Sequence, residues 1–321
     1  HKGKSDELVY MALGGLGEIG MNTYLYGYGP PNARSWLMVD LGVTFPHESE
    51  PGADVVLPDL RYIVADRKNL VGLVLTHAHE DHIGAVLDLW PSLECPIFAT
   101  PFTAGMVKTK VGEAGRSAAL PIRTVPLGGR FKAGVFDIEF VGLTHSIPEP
   151  NGIAIRTPAG LVFHTGDWKF DPTPVVGKPH DPEKLKSLGD EGVLALVGDS
   201  TNAMRDGRSA SEADVAHTLM KIIADAPRCV AVTLFASNVA RVASIAEAAR
   251  TSARFTASSR SRKRPAISLR VSRISISSAF PICRAIRRSC CAPAARARAA
   301  PPSRASPRRR IPISPSTRAI S

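Results

Sequence analysis

Thr76-His77-Ala78-His79-Glu80-Asp81-His82 follows the apolar run Val71-Gly-Leu-Val-Leu75. Such a run, bounded by polar residues, reads as a buried strand, and Ile83–Trp90 beyond the cluster reads as a helix. Four potential ligands, His77, His79, Asp81 and His82, therefore fall within six residues at a strand end. The loop there can turn His77 and His79 toward one point and Asp81 and His82 toward another. Imidazole and carboxylate suit Zn²⁺, and also Mn²⁺ or Fe²⁺. Packing offers no reason for three His and an Asp at this spacing.

Outward from the cluster, other strand ends carry matching groups. Thr144-His145-Ser146 lies just past the alternating run Phe136–Leu143, and Thr165-Gly166-Asp167 just past Leu161–Phe163 and His164. Together the segments place His77, His79 and His145 on one metal, Asp81 and His82 on a second, and Asp167 between them as a bridge. Asp40, which closes the short apolar run Trp36–Val39, is placed to orient a ligand imidazole. Two metals sharing a water make hydroxide available near neutral pH, since metal binding lowers the pKa of water from about 15.7 to about 7. Such a centre can hydrolyse a phosphodiester, and equally an amide, thioester or lactam.

The rest of the body reads as meander-like groups of strands with helices between them. Strands are expected at Glu7–Leu13, Met21–Tyr28, Val193–Val197 (buried) and Cys229–Leu234. A hairpin is expected around Pro158-Ala159-Gly160, and helices at Pro101–Gly115 and Ser211–Ala224. This pattern predicts a layered α/β or α+β fold. Gly15-Leu-Gly-Glu-Ile-Gly20 matches the G-x-G-x-x-G spacing of dinucleotide sites. The tyrosines at 24, 26 and 28 and then Pro30-Pro31 leave no helix after it, so it is expected to be a tight strand–turn–strand.

Composition divides the chain. Residues 251–321 hold 16 Arg and 1 Lys with no Asp, Glu or Gly, so they carry +17 of a chain whose net charge is +11. The 23 basic and 29 acidic side chains of residues 1–250 leave that part at −6. Hydrophobic content of 44% excludes a wholly disordered chain. No stretch approaches the ~18 apolar residues of a membrane span. The polar His1–Glu7 segment lacks the apolar core of a secretory leader, and Cys95 and Cys229 lie far apart in apolar surroundings. The expected compartment is the cytoplasm.

His77-x-His79-x-Asp81-His82, with His145 and Asp167, resembles the metallo-β-lactamase superfamily. Leu13–Asn22 (LGGLGEIGMN), Val39–Pro46 (VDLGVTFP), Leu75–Ala85 (LTHAHEDHIGA), Thr144–Glu149 (THSIPE), His164–Asp171 (HTGDWKFD), Gly198–Ala203 (GDSTNA) and Phe235–Arg241 (FASNVAR) together resemble its β-CASP branch, the ribonuclease J family. The resemblance runs in order from about Glu7 to Arg250. It implies an αββα sandwich over residues 1–203, with the start of an inserted β-CASP domain at 204–250. It also implies a cytoplasmic two-zinc ribonuclease, endonuclease and 5′-to-3′ exonuclease, acting in mRNA decay and rRNA maturation, with full-length members forming dimers or tetramers. His77, His79 and His145 match the ligands of one zinc, Asp81 and His82 those of the other, and Asp167 the bridge. Asp81, His82 and Asp167 are the expected catalytic residues, and Ser237 and Asn238 match a segment near the RNA path.

Family members are longer and supply a further His to the second metal from a later segment. This chain has no His after His217, so its second metal is expected to be weak or absent and its activity impaired. The Arg/Ser/Ala/Pro-rich tail, 251–321, is expected to be irregular. Its abrupt start suits GC-rich DNA translated out of frame, with an arginine-rich RNA-binding arm as the alternative. Two other functions compete with the ribonuclease: a small-molecule thioester or lactam hydrolase, and a non-catalytic RNA-binding relic.

Overall fold

A computed structural model describes residues 6–46, 52–115, 120–227, 230–234, 237–258 and 268–269. Its first sheet contains β1 (Glu7–Gly14), β2 (Thr23–Gly29), β3 (Ser35–Val39), β4 (Leu70–Val74), β5 (Ile97–Ala99) and β6 (Ile122–Thr124), in sequence order across the sheet. Pairing is antiparallel from β1 to β3 and parallel from β3 to β6. The second sheet has the order β11-β10-β9-β8-β7, from β7 (Arg130–Ala133), β8 (Phe136–Gly142), β9 (Asn151–Thr157), β10 (Gly160–His164) and β11 (Val193–Val197).

Alternation along the central strands builds the layers, because successive side chains point to opposite faces of a sheet. Leu37 and Val39 of β3, Tyr24 and Tyr26 of β2 and Val74 of β4 share one buried cluster with Ile138 and Phe140 of β8, Ile153 and Ile155 of β9 and Val162 of β10. That cluster is the interior between the sheets. Trp36, Met38, Leu25 and Leu73 instead join the helices on the outer face of the first sheet. These are α1 (Arg61–Ala65), α2 (Glu80–Ile83), α3 (Val86–Leu93) and α4 (Pro101–Glu113), which contribute Ile63, Ile83, Val86 and Val107. Ala154, Leu161 and Phe163 face Leu188 of α5 (Pro182–Glu191) on the outer side of the second sheet. The result is the αββα sandwich. Beyond it, α6 (Glu212–Asp225) and α7 (Val239–Ser258) pack on each other through Ile223, Ile245 and Ala248.

Four details differ from the sequence reading. The helix expected at 83–90 is two helices, because Asp81 O and His82 O accept from Asn22 N and Leu41 N, and Ala85 N donates to Leu41 O, so the helical bonding of α2 stops there. The expected buried strand Val193–Val197 is an edge strand whose Leu194 and Leu196 are 59% and 68% exposed. It pairs with β10 on one side, and no other described strand joins it. Of the strand expected at Cys229–Leu234, Ala231–Val232 is a strand, β12, paired in parallel with β13 (Ser268–Leu269). Cys229 lies outside the described residues. Finally, α7 continues to Ser258, eight residues past the composition change at Arg250. Of the tail beyond it, only Ser268–Leu269 falls within the described residues.

The segment after β3 is threaded between two others. Leu41 N and Val43 N donate to His82 O and Glu80 O, and Gly42 N donates to Asn22 O. Asn22 N in turn donates to Asp81 O, at 2.9 Å. Gly42 is required by this closeness, since a Cβ there would lie 1.6 Å from Asp81 O, a backbone atom that cannot swing away. Gly42→Ala is expected to cost about 3 kcal/mol, the upper range for forced overpacking, in urea denaturation of the chain. A loss under ~0.5 kcal/mol, the size of an ordinary surface substitution, would contradict the packing described.

Candidate metal centre

The candidate ligands stand at strand ends on one edge of the sandwich. β4 leads to Thr76 and His77, β8 to Thr144 and His145, and β10 to Thr165, Gly166 and Asp167. Backbone bonds hold these loops side by side: Lys169 N donates to Thr144 O, and Asn151 N to Thr76 O. His77, His79, His145 and Asp167 each offer one donor atom within 4.8 Å of the others. Asp81, His82 and Asp167 form a second set by the same measure. Asp167 belongs to both, with Oδ1 3.2 Å from His82 Nε2 and Oδ2 3.7 Å from His145 Nε2.

The imidazoles of the first set are short of protons. Burial drives His77 well below the usual histidine range, and the neighbouring His82, His79 and His145 add to it. Burial and the same kind of repulsion bring His79 down to about 3, and burial lowers His145 as well, against the pull of Asp167. His77 Nε2 lies 3.0 Å and His145 Nε2 3.2 Å from His79 Nδ1. One buried and two half-buried neutral imidazoles converging beside a carboxylate form a donor set for a divalent transition ion. The residues present fit a metal.

His82 is governed differently. Burial opposes its charge, yet Asp40 and Asp167 on either side raise it well above the usual range. Asp40 Oδ2 is 2.7 Å from Nδ1. A carboxylate only accepts, so Nδ1 carries the hydrogen and Nε2 faces Asp167. Asp167 would be raised by burial, but His82, His145 and His79 hold it below the usual carboxylate range. An ion entering this set has to displace the Nε2 proton, so its binding weakens as pH falls.

Several residues that hold the site were not singled out from the sequence. Thr76 Oγ1 donates to Asp40 Oδ2 at 2.8 Å and lies 3.0 Å from His77 Nδ1. Its oxygen therefore accepts from His77 Nδ1 and leaves Nε2 facing the cluster. Asn22 Nδ2 donates to Asp81 Oδ2 at 3.3 Å, while Asn22 Oδ1 accepts from the Tyr24 hydroxyl at 2.7 Å. No local pattern marks Asn22, because its partner Asp81 is some sixty residues away in the chain. Thr76 borders His77, and that position was the available signal. Ser237 and Asn238 stand elsewhere, at the start of α7, where Asn238 Oδ1 accepts from Arg241 N. Neither lines the cavity that reaches Asp81, His82 and Asp167.

His164 also lines that cavity. It is buried, bonded through Nδ1 to the Tyr26 hydroxyl at 2.9 Å, and burial brings it down to about 4. Below pH ~6.5 the unfolded chain therefore takes up this proton before the folded chain does, and stability falls until the pH passes the folded value. At pH 4.5 the metal-free chain is expected to have lost about 2–3 kcal/mol through His164 alone, with His77 and His79 acting in the same sense. His164→Gln should remove that share from urea unfolding measured at pH 7 and 4.5. An unchanged difference between the two pH values would contradict the assignment.

Residues 50–186 match the beta-lactamase superfamily domain. The chain is 52% identical over 251 residues to ribonuclease J from Sinorhizobium meliloti, covering 78% of this chain and 44% of that one. It is 38% identical over 254 residues to ribonuclease J from Thermus thermophilus, covering 77% of this chain and 44% of that one. The chain thus spans less than half the length of these relatives. In fold it is similar to the crystal structure of a protein of unknown function from Enterococcus faecalis V583, with a TM-score of 0.53 and 17% identity over 75% of this chain and 63% of that chain. Residues 50–186 are thus similar to the beta-lactamase superfamily domain, and the chain that carries them is similar to the ribonuclease J proteins over some 250 residues.

Proposed function

We propose that this chain carries the metal-dependent hydrolytic site of a ribonuclease J-type enzyme, with RNA phosphodiesters as substrate. The observation that carries the reading is the pair of donor sets sharing Asp167 at the end of a cavity, in a chain homologous to proteins named ribonuclease J. His77, His79, His145 and Asp167 would hold one ion, and Asp81, His82 and Asp167 a second. Zn²⁺ suits the first set, and Mn²⁺ is the alternative, favoured by the carboxylate share of the second. When bound, such ions supply Lewis acidity to a phosphoryl oxygen and an activated water.

The chain's own groups prepare that chemistry. Asp40 and Thr76 fix which nitrogen of His82 and of His77 faces the cluster. Asp167 keeps its negative charge between the two sets, where its two oxygens can serve one ion each. Asp81 stands at the cavity wall beside His82, within reach of a substrate phosphate.

The wider activity belongs to the same proposal. It includes endonucleolytic and 5′-to-3′ exonucleolytic cleavage in mRNA decay and rRNA maturation, in the cytoplasm, and dimers or tetramers at the relatives' full length. No helix among the described residues is long and apolar enough to cross a membrane. The second set has three donors, which leaves room for a further ligand from beyond this chain. The proposed layout keeps residues 1–203 as the hydrolytic domain, 204–250 as the start of the insertion, and 251–321 as an out-of-frame tail.

The test uses a version of the chain extended to its relatives' length. Metal-loaded, it is expected to cleave 5′-monophosphorylated RNA and to leave thioesters and lactams intact. His77→Ala combined with His79→Ala is expected to abolish both metal uptake and cleavage. Thioester or lactam turnover without RNA cleavage would overturn the reading, as would nuclease activity retained by the double variant.

A further inference from the structure

The cavity that ends on Asp81, His82 and Asp167 has a wall that the proposed chemistry leaves unused. Leu16 and Ile19, 76% and 78% exposed, line it from the turn between β1 and β2. We infer, building on the ribonuclease reading, that Leu16 and Ile19 form an apolar seat for the base of the RNA nucleotide whose phosphate lies at the metal cluster.

The turn is built to hold these side chains in water. Gly15, Gly17 and Gly20 take φ values of +75°, +74° and +98°, a region that favours glycine. The base of the turn is fixed. Met21 N donates to Val43 O at 2.8 Å, Thr44 Oγ1 donates to Ile19 O at 3.3 Å, and Gly15 N donates to Glu18 Oε1 at 3.0 Å. The tip stands clear, with nothing within 4 Å of a Cβ built at Gly17. Two large aliphatic side chains thus project from a braced turn and cover no core. Adjoining apolar groups left in water beside a polar site mark a binding surface.

The cavity's other wall identifies the occupant. Asp199, Ser200 and Thr201 line it, with Asp199 Oδ1 accepting from Thr201 N at 2.8 Å and Thr201 Oγ1 at 2.6 Å. The turn brings two aliphatic side chains to the cavity, with the Glu18 carboxylate between them bonded back to Gly15 N, residues 199–201 bring hydroxyls and a carboxylate, and Asp81, His82 and Asp167 belong to the candidate metal cluster. A nucleotide has the same three parts, an apolar base face, a hydroxyl-bearing ribose and a phosphate. The cavity volume, about 360 Å³, lies in the range of small-ligand sites. Every base has an apolar face, so Leu16 and Ile19 would seat a base without choosing among the four.

The test measures binding by the 321-residue chain, loaded with Zn²⁺ or Mn²⁺, using fluorescence anisotropy. The probes are a 5′-phosphorylated RNA oligomer and a ribose-phosphate oligomer of the same length without bases. The 17 basic residues of the tail would attract phosphate whether or not bases are present, and such a contribution falls with salt, so the comparison is made at about 0.3 M salt. The parent chain should bind the base-bearing oligomer more tightly. Leu16→Ser with Ile19→Ser should weaken that binding about tenfold, the scale of losing one base-stacking surface, and leave the base-free oligomer unchanged. Both positions are exposed, so matching circular dichroism is expected, and the base-free arm is the internal control. If the variant binds both oligomers as the parent does, while the extended chain cleaves RNA, the base seat is wrong and the ribonuclease reading stands. If the parent does not distinguish the oligomers and the extended chain cleaves no RNA, both are wrong.

Discussion

The carboxylate of Asp40 is the interaction on which the rest of the site depends. It is fully buried at the end of β3 and accepts from Thr76 N, from Thr76 Oγ1 and from His82 Nδ1, all within 2.8 Å. A buried carboxylate costs heavily unless it is hydrogen-bonded and paired, and these three donors meet that demand. In doing so they draw the end of β4 and the first turn after it onto the end of β3. Asp40 itself has φ +60°, a conformation that Asp tolerates better than most side chains. Glycine would relieve the backbone there but remove the carboxylate, so the strain and the function occupy one residue.

From this anchor the two donor sets acquire opposite electrostatic character. His77, His79 and His145 are kept neutral by burial and by one another, and so present lone pairs. His82, between Asp40 and Asp167, holds a proton in the absence of metal. The first set is therefore ready for a cation, while the second exchanges a proton for one. The close threading of residues 41–43 between 80–82 and Asn22 makes this arrangement stiff, since backbone pairs there hold the ligand-bearing segment at both edges.

The candidate ligands were legible in the sequence because they are local. Four of the six candidates fall between His77 and His82, and His145 and Asp167 follow strands whose alternation is easy to see. A layered α/β or α+β fold was legible from the strand pattern, and its αββα order from the family resemblance; in the structure β3, β8 and β10 sort their side chains to two faces. Other features were hidden. β5 and β6 have three residues each, too few for a period to show. The start of α5 carries a local signal, Asp181 capping Glu183 N and Lys184 N with Pro182 next to it. The exposure of β11 could not be read from an apolar run, because hydrophobic residues alone do not tell an edge strand from a central one. Asn22 gained its role from a partner distant in sequence, and the break between α2 and α3 came from backbone bonds to residues 22 and 41.

The central claim is that Asp40 sets up the second donor set through His82, and the first set much less. Zn²⁺ titration calorimetry on the chain and on Asp40→Asn tests it directly. The account predicts two equivalents for the parent, one tight and one weaker, and a selective loss of about tenfold or more in the weaker affinity for the variant, the range for removing a partner of a metal-bound histidine. A variant that bound both equivalents as the parent does, or a parent that bound none, would contradict it.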